Sequence, residues 1–281
     1  MTQQIARRDI KRIFGNRENK ERYLMELSSV RGMELTIPKG NDQIDQLIID
    51  TWSYEPAKSI IREMFRTHPK YLAQANLNKQ IDAALAEWKE LGLGELEWPF
   101  SAASFDQRVH FLNRHPQYSE KQKDAILAKE VVKFRRIKQI NSYRNDYIEN
   151  LIFENENVIP TLGNHRGVDF YIHGEPYDQK VGKSVGKAFM QQYGTAYRET
   201  ALHHPELVAK SLYENQDEAR FGAEARLLIV YLDSDVNAQK IQEQLAEIDF
   251  SSPYEIAFEY THPDRGITSY TTKCFVILLH N

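Results

Sequence analysis

The sequence predicts an α/β protein in which a helical first part precedes a mixed central sheet flanked by helices. Up to about Pro160, apolar residues recur at three- and four-residue spacing, which is typical of amphipathic helices. After Pro160 the apolar period changes to two, which predicts strands, and apolar runs over 226–232 and 271–279 predict buried strands. The 281 residues suffice for two domains or for one elaborated domain.

Helices account for the first part of the chain, and turn segments such as Pro38-Lys39-Gly40 separate them. A long helix begins at Ser119 or Glu120 and ends before Pro160. The shorter predicted helices cover 3–14, 43–54, 57–66, 76–91 and 104–114. We therefore predict a helical region over 1–118 and an α/β domain over 119–281.

The predicted order of elements from residue 120 onward is helix, strand, strand, strand, helix, strand, with insertions. The first two strands alternate in polarity, and the third is uniformly apolar. After the long helix, the predicted elements are strands over 167–173, 177–181 and 226–232, a helix over 236–247, an edge strand over 254–260 and a buried strand over 271–279. This order predicts one sheet with helices packed on it.

Composition excludes several classes of protein. With 41% hydrophobic and 27% charged residues, the chain is typical of a folded globular protein rather than a disordered one. A single cysteine, Cys274, excludes a disulfide framework and a cysteine-cluster zinc site. No apolar run approaches the roughly eighteen residues of a membrane span, and the amino terminus carries no secretory pattern. We expect a soluble intracellular protein.

The net charge of −4 is unevenly distributed. Residues 131–148 carry five bases against one acid, whereas residues 214–264 carry twelve acids against three bases. Such asymmetry suits one basic face turned toward phosphates and one acidic face turned toward solvent. Each run taken alone fits an ordinary solvated surface equally well.

The most informative segment is a predicted hairpin over 167–183. We expect Ile172 to lie opposite Tyr177 across a four-residue loop, because proline cannot donate to a strand ladder and this places Pro176 in the loop. Side chains alternate between the faces of a sheet. The residues predicted to share one face are Asp169, Tyr171, Asp178 and Lys180.

Two carboxylates and an ammonium group on one face predict a metal-assisted chemistry. The carboxylates of Asp169 and Asp178 repel each other unless a cation lies between them. Mg²⁺ prefers oxygen ligands and completes its shell with substrate phosphate oxygens. Lys180 is placed to hold a scissile phosphate and to position or deprotonate a metal-bound water. The alternative is a solvated hairpin with a fortuitous ion pair.

Asp169, the hairpin, and Asp178-Gln179-Lys180 resemble the PD-(D/E)XK nucleases, and the segment 169–180 is similar to type II restriction endonucleases in particular. The family core of helix, three strands, helix and strand is similar to the order predicted for 120–279. Val168 stands where the family name has proline. The resemblance implies a restriction-endonuclease-like core and Mg²⁺-dependent, site-specific hydrolysis of phosphodiester bonds in double-stranded DNA.

The resemblance also implies roles for individual residues. Asp169, Asp178 and the backbone carbonyl of Gln179 are implied Mg²⁺ ligands, and Lys180 is the implied catalytic lysine. Two other functions stay open: a repair or defence nuclease on the same core, and a DNA-binding protein that does not cleave.

Many such enzymes add a glutamate from the helix that precedes the first catalytic strand. Glu149 is our choice, because it flanks the apolar stripe of the long helix, and Glu154 and Glu156 are the alternatives. An ordinary surface glutamate explains Glu149 equally well.

Basic residues of the long helix are the predicted DNA contacts. We expect Lys133 and Lys138 to contact phosphates and Arg135 or Arg136 to contact bases, because the planar guanidinium suits guanine. Lys183 is a further candidate phosphate contact. Cleavage of palindromes requires two-fold symmetry, so we expect a homodimer, with the region 1–118 serving DNA recognition or dimerisation. The restriction-type function implies a cytoplasmic prokaryotic protein without membrane contact.

Overall fold

The computed structural model describes residues 5–68, 71, 76–94, 96, 102–163, 167–217 and 221–281. In these residues the strands are β1 (Val158–Pro160), β2 (Phe170–Ile172), β3 (Glu175–Gly182), β4 (Arg226–Tyr231), β5 (Tyr254–His262) and β6 (Gly266–Leu279). The helices are α1 (Arg7–Phe14), α2 (Arg17–Arg31), α3 (Asn41–Thr51), α4 (Tyr54–Arg66), α5 (Leu77–Glu90), α6 (Ala102–Asn113), α7 (Glu120–Glu154), α8 (Lys187–Tyr193), α9 (Tyr197–His203), α10 (Pro205–Glu214) and α11 (Ala238–Ala246).

The strands form one six-stranded mixed sheet in the order β1-β2-β3-β4-β6-β5. β1, β2 and β3 pair antiparallel, β4 lies parallel to both β3 and β6, and β5 pairs antiparallel with β6. The predicted α/β class, with a mixed sheet flanked by helices, is confirmed. No helix in the described part of the chain is both long enough and apolar enough to cross a membrane.

The long helix α7 begins where the sequence places it. Ser119 caps its amino terminus, and the side chains of Ser119 and Gln122 satisfy each other's backbone N–H groups in a capping box. One stripe of the helix is buried, including Ile137, Ile140 and Ile148. Val131, in the first half of the same helix, is 50% exposed.

The two faces of the sheet pack against different helices. On the face that we call the α7 face, Leu227 and Ile229 join a core that extends to α7, α11 and the helices of the first part of the chain. On the opposite face, called the α10 face, Leu228 and Val230 pack with the apolar residues of α8, α9 and α10. Because one core links the first helices to the sheet, the 1–118 region is packed against the α/β part.

The predicted register of the β2–β3 hairpin is wrong by two residues. Tyr171 pairs with Pro176 and Ile172 with Glu175, so only His173 and Gly174 form the turn, both with positive φ angles (50° and 84°). In an antiparallel ladder, pairs that exchange hydrogen bonds alternate with pairs that do not. The pair nearest the turn exchanges them, so Pro176 occupies a position that requires no N–H donor.

Two elements were not predicted. Helix α2 is rich in charged residues and buries only Lys20, Tyr23, Leu24 and Leu27, so its apolar periodicity is weak. Strand β1 is three residues long, which is too short for a period of two to show.

We predict that Arg144→Ala destabilises the fold by about 3 kcal/mol, because it leaves buried acceptors unpaired and removes a packed side chain. Arg144 is 1% exposed, and its guanidinium donates to the carbonyls of Ser234 (2.8 Å) and Val236 (2.5 Å) after β4. The free energy of unfolding in urea measures the effect. Arg135→Ala, at an exposed position of the same helix, is the control and should change stability by about 0.5 kcal/mol or less. Equal effects in the two variants would contradict the structural role of Arg144.

Candidate active site at the end of strand β2

Asp169 directly precedes the first residue of strand β2, and its backbone departs from the regular ladder. The Asp169 N–H donates to the Tyr177 carbonyl at 2.9 Å, although Tyr177 is already the partner of Phe170. Two residues therefore lie opposite one, which is the arrangement of a β-bulge. The Thr161 hydroxyl donates to the Asp169 carbonyl at 2.9 Å. These bonds fix the backbone of Asp169.

The bulge places the Asp169 carboxylate in the plane of the sheet. The N–H of Gln179 donates to Asp169 Oδ2 at 2.7 Å. Backbone donors of a strand point along the sheet toward the neighbouring strand. The carboxylate therefore occupies the position that the next residue pair of β2 would otherwise fill. The prediction that Asp169 shares a face with Asp178 and Lys180 is wrong, because the bulge rotates its side chain out of the alternating pattern.

Asp178 and Lys180 do share a face, as predicted. Asp178 is 3% exposed, and the Nζ of Lys180 lies 2.6 Å from its Oδ2. The Lys180 side chain itself is 51% exposed. An ammonium group on a half-exposed side chain thus neutralises a buried carboxylate.

A second cation, Arg226, approaches Asp178 from the neighbouring strand. Asp178 and Arg226 are partners in the parallel β3–β4 ladder, and Arg226 Nε lies 3.8 Å from Asp178 Oδ2. The guanidinium also donates to Gln216 (2.8 Å) and Glu224 (2.9 Å) and stacks over the ring of Tyr213 at 5.0 Å. Arg226 is therefore held by several buried contacts, whereas Lys180 reaches Asp178 from an exposed position.

The charges at this site shift the pKa values of both acids. Burial raises the pKa of Asp178; Lys180 opposes the shift, and the negative charges of Asp169 and Glu224 add to it. For Glu224, burial also raises the pKa, but the hydrogen bond from Arg226, a backbone hydrogen bond and the charges of Arg226 and Lys180 together outweigh it, and the net shift is downward. Asp178 is thus the acid with the greater tendency to hold a proton.

Glu224 and Arg226 were not predicted from the sequence. They follow a forty-residue insertion after β3, and only the parallel register of β3 and β4 brings them beside Asp178. The arginine that opens the apolar run of β4 was the available signal, because a charged residue in a buried strand requires a partner.

Glu149 and Asp169 line a common cleft of about 270 Å³ on the α7 face. Gln179 also lines it. The other two candidate glutamates lie elsewhere: Glu154 accepts a hydrogen bond from Tyr71 at 2.6 Å, and Glu156 is exposed. Of the three candidates, Glu149 is therefore the one next to Asp169.

The predicted DNA contacts on α7 differ in their surroundings. Arg135 and Lys138 are exposed, and so is Lys183 after β3. Arg136 forms an ion pair with Glu87 of α5, and the ammonium of Lys133 lies 6.0 Å from the Trp88 ring centre. Contact with DNA stays a prediction for all five residues.

The donor set at the end of β2 matches Mg²⁺ in chemistry. Within the described ranges, no three acidic, histidine or cysteine side chains converge on a point that would hold a metal ion. Mg²⁺, however, is commonly held by one or two carboxylates together with substrate phosphates. The carboxylate of Asp169 and the backbone of Gln179 lie at the same open edge, one residue from the carboxylate of Asp178.

Comparison with protein-family models, with curated proteins and with solved structures finds no match to this chain.

We predict that Asp178→Asn leaves the protein equally stable or more stable at pH 7. Because the pKa of Asp178 is raised by folding, the native state binds a proton more readily than the unfolded state, and the ionised carboxylate costs stability at neutral pH. The destabilisation disappears as the pH falls through the pKa of Asp178 in the folded protein, because the carboxyl group is then protonated. The difference in the free energy of unfolding between variant and wild type should therefore shrink toward pH 4. Urea unfolding across this range measures it. A variant clearly less stable at pH 7 would show that the ion pairs outweigh the burial.

Proposed function

We propose that this protein is an Mg²⁺-dependent endonuclease of the PD-(D/E)XK type that cleaves double-stranded DNA at specific sites, as restriction enzymes do. The observation that carries the proposal is the Asp169 carboxylate bound to the Gln179 N–H, between the Asp178–Lys180 pair on the α10 face and Glu149 on the α7 face. The element order α7, β1, β2, β3, β4, α11 and β6 is compatible with the core of that family, with three helices inserted before β4.

Asp169, Asp178 and the Gln179 carbonyl would hold the metal ion. When bound, Mg²⁺ supplies charge neutralisation at the scissile phosphate and lowers the pKa of a water molecule. The Lys180 ammonium lies 2.6 Å from Asp178 Oδ2 on a half-exposed side chain, and it would hold the scissile phosphate and orient the attacking water. Arg226 stays beside Asp178 and keeps the carboxylate fixed.

In this proposal, exposed basic residues of α7 and of the segment after β3 contact the DNA. Arg135 and Lys138 of α7 and Lys183 after β3 are exposed bases for phosphate contact. A homodimer would present two such sites to a palindrome. The cytoplasmic location of a restriction enzyme belongs to the same proposal.

One observation favours a DNA-binding protein that does not cleave. Asp178 already has two cationic partners, Lys180 and Arg226, so its charge is compensated without a metal. The metal experiment below separates this function from a nuclease.

We predict that Lys180→Ala and Asp178→Asn each lower the rate of plasmid cleavage by about a hundredfold or more, the contribution typical of a positioned acid–base group. Glu149→Gln should also lower the rate. Glu156→Gln, which alters an exposed acid outside the cleft, is the matched control and should cleave like the wild type. Cleavage by Lys180→Ala at a near-wild-type rate would reject the assignment of the motif.

We predict that cleavage requires Mg²⁺ and stops in excess EDTA. Ca²⁺ is larger and less demanding in geometry, so it should support DNA binding without rapid cleavage. Gel shifts and plasmid digestion with each ion measure the two effects. DNA binding without cleavage in every metal would instead support the DNA-binding protein that does not cleave. Rapid cleavage in EDTA would show that the reaction does not require a metal ion.

We predict that Lys138→Ala reduces the slope of log affinity against log salt by about one unit on cognate and random duplexes alike, as expected for one lost phosphate contact. Arg136→Ala is the matched comparison. Because Arg136 pairs with Glu87, its removal should change the slope less. Unchanged salt slopes in Lys138→Ala and Arg135→Ala would contradict a DNA-binding surface on α7.

A further inference from the structure

Strand β6 extends beyond its neighbour β5 and leaves an open edge. β5 begins at Tyr254, which pairs with Cys274, so residues 275–279 pair with β4 alone in the described structure. A groove of about 480 Å³ runs along this segment, and four consecutive residues, 275–278, line it. Successive side chains of a strand point to opposite faces. Only a strand edge presents four consecutive residues to one groove.

The backbone groups that face this groove can be assigned. The N–H of Leu232 donates to the Leu279 carbonyl at 2.8 Å, so the backbone polar groups of Leu279 point toward β4. The backbone N–H and carbonyl groups of successive residues in a strand point alternately to its two sides. Ile277 therefore also points toward β4, while Val276 and Leu278 direct their N–H and carbonyl groups into the groove.

His280 lies two residues after Leu278, so its backbone N–H and carbonyl point to the same side as those of Val276 and Leu278, and both are hydrogen-bonded. Its N–H donates to Gln244 Oε1 at 3.0 Å, and its carbonyl accepts from Gln244 Nε2 at 2.9 Å. One amide side chain thus replaces a neighbouring strand at His280. The edge at Val276 and Leu278 is left for another backbone.

The wall of the groove is acidic. Glu247 and Asp249 line it, and His280 is the one basic residue among its described lining residues. Hydrogen bonds from Ser251 lower the pKa of Asp249, so this carboxylate is ionised at neutral pH. A strand that enters the groove is favoured when it carries positive charge.

We propose that this groove binds an extended, lysine- or arginine-containing peptide segment of a partner protein, which adds to β6 as a strand. Backbone bonds to Val276 and Leu278 would give affinity, and Glu247 and Asp249 would select basic side chains. At about 3.3 Å per residue, the open segment accommodates roughly five residues of the added strand. The site is separate from the proposed nuclease site and does not depend on it.

The test is a selection of the full-length chain against a random peptide library displayed on phage. We expect enriched sequences with basic residues in alternation. A synthetic peptide of the enriched sequence should slow amide hydrogen exchange at Val276 and Leu278. Val276→Pro removes the groove-facing N–H without removing a bond to β4, and it should weaken binding at least about tenfold, or 1.4 kcal/mol.

Ala257→Pro is the matched control. Ala257 pairs with Thr271, three residues from the Tyr254–Cys274 pair, so its N–H points away from β6 into solvent outside the groove. This variant should bind the peptide like the wild type.

A double variant, Glu247→Lys with Asp249→Lys, keeps the backbone edge and should also lose the basic peptide by about tenfold or more. If circular dichroism shows that Val276→Pro does not fold, peptide binding by this double variant is the test of the proposal. The proposal is overturned if no peptides are enriched, if enriched peptides lack basic residues, or if their binding survives both changes. It is equally overturned if the wild type is a dimer that Val276→Pro converts to a monomer, because a second copy then covers the edge.

Discussion

The hydrogen bond from the Gln179 N–H to the Asp169 carboxylate is the interaction on which the candidate active site depends. It ends the pairing of β2 with β3, because a side chain takes the place of the next residue of β2. The same bond holds the Asp169 carboxylate between the two faces of the sheet. From there it borders Glu149 on the α7 face and influences Asp178 on the α10 face. A regular ladder through Asp169 would have separated the α7 cleft from the acid cluster.

The two cations next to Asp178 differ in burial, because the side chain of Lys180 is half exposed and that of Arg226 is buried. Arg226 is buried and held by Gln216, Glu224 and the Tyr213 ring, so it is a permanent part of the site. Lys180 reaches the same oxygen from solvent. A buried carboxylate needs a compensating charge, but that charge need not always be the same one. In the proposed nuclease, a divalent cation in place of Lys180 would keep Asp178 compensated and would leave the ammonium group for the substrate phosphate.

The sequence was sufficient to predict the class of the fold and the polar face of β3, and the reason is the two-residue side-chain period. A register error of two residues leaves every side chain on its original face, so Asp178 and Lys180 were placed together despite the wrong turn. Asp169 was placed on the wrong face because a bulge breaks that period, and no local sequence pattern predicts the bulge. Arg226 and Glu224 depend on pairing across a long insertion. Such non-local register is decided by the packing of the whole sheet.

Both candidate sites lie where one strand extends beyond its neighbour. β3 continues after β2 ends, and β6 continues after β5 ends. Unpaired backbone groups at such places need partners, because a polar group that loses water without a hydrogen bond is costly. The Asp169 carboxylate meets this need at Gln179, and the Gln244 amide meets it at His280. A carboxylate in that role brings negative charge to the edge and suits a cation, whereas an amide is neutral and completes only one residue. The edge at Val276 and Leu278 therefore keeps its capacity for a strand, while the edge at Gln179 is closed by a carboxylate and carries negative charge.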